Sequence, residues 1–69
     1  MATIYIVSDY GKLVKSGDTL QLKQGEGESR IFPYKTEQLV ILGKVDITNS
    51  ALKLLMHHKV DTVFLNKNG

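Results

Sequence analysis

The sequence predicts a small α+β domain, β-rich, in which an antiparallel β-meander of hairpins is followed by a short βαβ-like unit with one main helix. Three observations carry that prediction. Residues 1–32 hold short β-branched or alternating runs separated by glycine-containing turns. Residues 38–43 and 62–65 are continuous apolar runs, the pattern of strands covered on both faces. Between them lies one stretch with helical spacing and a start signal. With 69 residues there is room for one domain, spanning 1–69.

The elements follow in order. TIYIVS (3–8) is β-branched and aromatic and reads as a strand, with Ile4 and Ile6 on one face and Tyr5 and Val7 on the other, both faces at least partly covered. Tyr5, like Phe64 further on, is assigned to the core. DYGK (9–12) reads as a turn and LVKS (13–16) as a short second strand. Gly17-Asp18 then separates two strand-like runs, and glycine in first place suits a type II′ hairpin turn. TLQLKQ (19–24) alternates, sending Leu20 and Leu22 inward and Gln21 and Lys23 outward. GEGES (25–29) reads as a loop, and 30–32 as a short strand ended by Pro33, which lacks the N–H a central strand needs. YKTEQ is a connector with room for one helical turn.

In the second half, QLVILG (38–43) is the first buried strand. Thr48 is placed to cap a helix over 49–58, whose apolar stripe reads as Ala51, Leu52, Leu55 and Met56. TVFL (62–65) closes a βαβ unit, whose two strands should run parallel.

Size and composition narrow the function classes. A domain this short buries only about 60% of its unfolded surface, so added burial from a partner chain or further domain is expected. Cysteine is absent, which excludes disulfides and thiolate metal sites. The nine basic residues are dispersed among seven acids, for a net charge of +2, so composition permits nucleic-acid binding without demanding it. No stretch has the apolar length of a membrane span and the start shows no signal-peptide pattern, so a cytoplasmic protein is expected.

Candidate chemistry is sparse. Adjacent His57 and His58 diverge by about 100° on a helix, whereas helical metal pairs favour i, i+4 spacing, so they read as a solvated last turn rather than ligands. Glu26 and Glu28 have no histidine near them in sequence, and Gly25-Glu26-Gly27 lacks the third glycine and following helix of a phosphate loop. No catalytic or metal-ligating set emerges. Tyr10 differs from the other aromatics, because a turn tyrosine beside Gly11 and Lys12 could stack on a base. Tyr10 reads more simply as a lid over the core with its hydroxyl in water; if the chain contacts DNA, the candidates are Tyr10, Lys12 and Lys15, the lysines through phosphates.

The run from Ile31 to Gly69 resembles the N-terminal domain of the CRISPR-associated spacer-acquisition integrase, the DNA endonuclease of CRISPR adaptation in antiviral defence. The resemblance rests on Phe32-Pro33, the apolar strand 39–43 ending in Gly43, the cap Thr48, the helix carrying Ala51-Leu52 and Leu55, and the strand from Val63 leading to Gly69. The opening IYIVSDYGKLVKSGDTLQLKQ also looks like that family's start. The resemblance implies a homodimerisation and DNA-positioning role on double-stranded DNA. It also implies that the family's catalytic residues, with their magnesium or manganese, lie in a following helical domain, so none is assigned to this chain and no cofactor is expected in it. On that basis the chain is expected to be inactive by itself, as a truncated product, a proteolytic remnant or one piece of a split gene. A free-standing α/β assembly subunit without enzymatic role is the competing expectation, and a metal enzyme using the histidine pair a third.

Overall fold

The computed structural model describes residues 2–65. They form a five-stranded mixed sheet covered on one face by a single helix. The strands are β1 (Ala2–Ser16), β2 (Thr19–Gln24), β3 (Gly27–Ile31), β4 (Thr36–Ile47) and β5 (Asp61–Leu65), with helix α1 (Asn49–His57) between β4 and β5. The sheet order is β3-β2-β1-β4-β5. The first three strands make the expected antiparallel meander, and β4 and β5 run parallel around α1, as the βαβ reading required. The join between the halves is a second parallel pairing, β1 with β4, at the centre of the sheet.

Both hairpins turn on a glycine. Ser16 pairs with Thr19, leaving Gly17-Asp18 as the two-residue loop, with Gly17 at φ +62. Asp18 is not among the positive-φ residues, the combination a II′ turn uses. Gly25-Glu26 repeats the device, with Gly25 at φ +56 and Gln24 paired with Gly27. The stretch 25–29 is therefore a tight turn and the start of β3 rather than a loop, and β3 runs Gly27–Ile31 instead of 30–32. Pro33 opens a one-turn 3-10 helix, Pro33–Lys35, within the predicted connector.

The predicted turn at 9–12 is absent, because β1 continues through it as one 15-residue strand. The register with β4 shifts there instead: Ser8 pairs with Gly43 and Gly11 with Val45, so three steps on β1 match two on β4. This is a β-bulge, one extra residue that reverses which face the following side chains occupy. Before it the core-facing residues are even-numbered (Ile4, Ile6, Ser8), and after it they are odd-numbered (Gly11, Leu13). The buried Ser8 fastens the bulge by accepting the Tyr10 N–H on its Oγ at 3.2 Å. A Cβ on Gly11 would lie 3.2 Å from both Ser8 Oγ and Val45 Cγ2, so any side chain here would have to push those neighbours back by a few tenths of an ångström.

The core comprises Ile6, Leu13, Leu20, Leu22, Ile31, Leu39 and Ile41 from the sheet, with Ala51, Leu54 and Leu55 from the helix and Val60 beyond it. Leu20 and Leu22 point inward, as their alternation predicted. The helix stripe differs from the expected one: Leu54 is buried, whereas Leu52 and Met56 are exposed. Both sets fit one face of a 3.6-residue helix, so the buried stripe of Ala51, Leu54 and Leu55 is set by how α1 packs on the sheet rather than by spacing alone.

Both helix ends are closed by local bonds. Thr48 Oγ1 accepts the Ala51 N–H at 3.2 Å, confirming the predicted cap. At the other end, Val60 N–H donates to the Leu55 carbonyl (2.9 Å) and Lys59 N–H to that of Met56 (3.0 Å). With Lys59 at φ +56, this is a Schellman motif carried by lysine where glycine is usual. The buried pair Val60 and Leu55 supplies its hydrophobic contact.

Candidate nucleic-acid interface

The two faces of the sheet differ in chemistry. On the uncovered face, pairing registers align Tyr5–Val40–Val63 and Val7–Leu42–Leu65 in adjacent rows. Tyr5 is 66% exposed, Val7 58% and Leu65 47%, with Leu42 and Val63 half-buried and Val40 buried among them. This face is thus covered only in part, at Val40, and the prediction that Tyr5 is core fails. Phe64 also leaves the core, at 58% exposure: it shares the inner row with Ile6 and Ile41, but the helix packs chiefly over β1 rather than over the edge strand β5.

Past the bulge the same outer face turns polar. Lys12 stands between Lys23 on β2 and Asp46 on β4. Beside them Gln21 Nε2 donates to Glu28 Oε2 at 2.7 Å, and Arg30 Nη1 to Thr19 Oγ1 at 2.6 Å. Tyr10 projects from the bulge at 87% exposure. Of the three DNA-contact candidates, Lys12 lies on this outer face and Tyr10 beside it. Lys15 lies on the opposite face, because β1 alternates after the bulge, and there it borders the helix.

Around Lys15 the structure assembles residues that sequence reading passed over. A cavity of about 350 Å³ is lined by Lys15, Ser50, Lys53, Leu54 and His57. A second, of about 410 Å³, is lined by Val14, Lys15, Gly17, Thr48 and Ser50. The signal was present in the helix, since Ser50, Lys53 and His57 follow i, i+3, i+7 spacing. What the sequence lacked was the β1 parity that aims Lys15 at the same stripe.

The histidines are arranged differently from the expectation that they diverge. The His57 and His58 rings meet edge to face, 5.1 Å apart at 86°. No group of three or more His, Cys, Asp or Glu side chains placed to hold a metal ion occurs among the described residues. Glu28 is engaged with Gln21, and Asp61 accepts from Gln38 Nε2 at 3.2 Å across β4 and β5. No helix among the described residues is long and apolar enough to cross a membrane.

A mixed sheet with one helix, an open apolar face and separate basic positions defines the class: a small β-rich α+β module. A Cas1 protein from Thermotoga maritima superposes with a TM-score of 0.88 at 24% identity, over 99% of this chain and 21% of that one. A casposase bound to an integration product gives 0.75 at 22% identity, over 99% of this chain and 23% of that one. These two likenesses establish the fold. In sequence, the model of the CRISPR associated protein Cas1 family matches residues 4–69, and the chain belongs to that family. The CRISPR-associated endonuclease Cas1 1 of Archaeoglobus fulgidus is 33% identical over 66 residues, which cover 93% of this chain and 19% of that protein. The chain thus spans about a fifth of the length of that curated relative, and the resemblance to the family's N-terminal domain holds.

Proposed function

We propose that residues 1–69 are the dimerisation and DNA-positioning domain of a CRISPR-associated endonuclease that inserts new spacers, without nuclease activity of its own. Family membership supports the spacer-acquisition setting. The observation that carries the dimerisation reading is the outer apolar face built on Tyr5, Val7, Leu42, Val63 and Leu65. Contiguous exposed apolar surface of this kind marks an interaction site, and a domain this small gains from the extra burial. A second copy meeting the same face across a two-fold axis satisfies both partners at once. DNA-binding relatives share the fold, a Cas1–DNA complex among them. Tyr10 and Lys12 beside the open face, and Lys15 behind it, are the side chains assigned to DNA, the lysines through phosphates and Tyr10 by stacking. The magnesium or manganese chemistry of strand transfer is assigned to the helical domain of the full-length family members.

Sedimentation velocity tests the reading. The chain runs as a dimer, Val7→Glu runs as a monomer with the circular dichroism of the parent, and neither cleaves DNA in magnesium or manganese. A monomeric parent, or metal-dependent cleavage by the chain alone, would refute the corresponding half.

A further inference from the structure

We infer that the groove between α1 and the end of β1 is a phosphate-binding site, formed by Lys15, Ser50, Lys53 and His57. Its two cavities share Lys15 and Ser50, so they form one continuous trough along the side of the helix. No carboxylate is among the residues lining either cavity. Two lysines therefore line a concave surface with no anionic residue in its lining, an arrangement that favours an anion over a cation.

The donors at the trough's upper end complement the lysines. Thr48 Oγ1 occupies the Ala51 N–H, leaving the first-turn amides of Asn49 and Ser50 without a bond inside the helix. Ser50 lines both cavities. From Ser50 to His57 the helix advances about 10 Å, so the donor-lined wall is an extended track rather than a single point. Ammonium, hydroxyl and imidazole together suit a phosphate oxygen. Leu54 supplies the apolar floor.

The phosphate site stands on this geometry; its assignment to the DNA backbone rests on the DNA-positioning reading above. Two sources share the chemistry, a nucleic-acid backbone and a free phosphate compound, and the test separates them. The isotopically labelled chain is titrated with pyrophosphate at constant ionic strength, and amide shifts are followed. The expected result is shifts concentrated on Lys15, Gly17, Ser50, Lys53 and His57, with Lys15→Gln and Lys53→Gln each weakening binding about three- to tenfold. Lys44→Gln, on the outer face, leaves binding unchanged. Both groove lysines are exposed, so the variants fold, which their melting curves verify. Shifts spread evenly over Lys12, Lys23 and Lys44, or unaltered affinity in both groove variants, would overturn the site.

A DNA oligonucleotide is the second arm. Displacement of pyrophosphate from the same amides, with the salt dependence of DNA binding reduced by about one counterion per substituted lysine, identifies the backbone as ligand. Pyrophosphate binding that DNA does not displace keeps the site but overturns its assignment to DNA. DNA binding that neither lysine variant alters overturns the groove while leaving the positioning role of the domain intact.

Discussion

The Thr48 N–H donates to the Leu13 carbonyl at 3.1 Å, tying the residue that caps the helix to the far half of β1. Thr48 is thus bonded three times, since its hydroxyl oxygen also receives the Ala51 amide and its carbonyl the Leu52 amide. Thr48→Ala keeps the backbone bond and removes the cap. It should lower stability by about 1 kcal/mol, read as a shift of the urea midpoint at unchanged slope. Thr48→Ser should restore most of the loss, and equal loss in both variants would contradict a capping role.

Lys59 holds a left-handed conformation that a side chain disfavours. Lys59→Gly retains the Schellman bonds while removing that strain, so it should stabilise the chain by roughly 1 kcal/mol. The check is thermal melting beside Lys53→Gly, which places glycine inside the helix and should destabilise it by about the same amount.

Leu39 is fully buried at the centre of the core, between β1 and β5. Leu39→Ala should cost about 2–5 kcal/mol, against a total of only some 3–10 kcal/mol for a domain of this length. At micromolar concentration the variant should be partly unfolded at 25 °C. Because the proposed dimer couples folding to association, raising the concentration should recover signal. A concentration-independent melting curve would speak against that coupling.

Gly11 sits where an added side chain would press on Ser8 and Val45. Gly11→Val should destabilise by about 1–3 kcal/mol, because its branches would drive into Val45 and Ser8. Gly17→Val, with open space around it but positive φ, should cost less in packing and act mainly through turn strain. Urea midpoints of the two variants compare the mechanisms directly.

Much of this architecture is legible from local chemistry. The hairpin at Gly17-Asp18, the Thr48 cap, the alternation of Leu20 and Leu22 and the parallel β4–β5 pair each follow from residues close together in the chain. What was not legible depended on partners distant in sequence. The bulge looked like a turn because Asp9 and Gly11 are turn residues, and only the ladder to β4 keeps that segment extended. Tyr5 and Phe64 looked like core because strand aromatics usually are. Whether a sheet row is covered depends on where the single helix sits, and this one lies over β1. The basic groove was hidden for the same reason: Lys15 joins Ser50, Lys53 and His57 only once the parity of β1 is known.

The extra residue at 9–10 has a consequence for how this chain tolerates changes in length. Side chains along β1 are read in twos, inside or outside, and the bulge between Ser8 and Gly11 is a point where that reading frame slips. Removing one residue there would erase the bulge and leave a regular strand in which Leu13 still faces the core and Lys12 the solvent. Removing two would exchange the faces downstream, turning Leu13 to solvent and Lys12 into the core. Insertions and deletions in this strand are therefore judged by whether their number is odd or even before their chemistry matters at all.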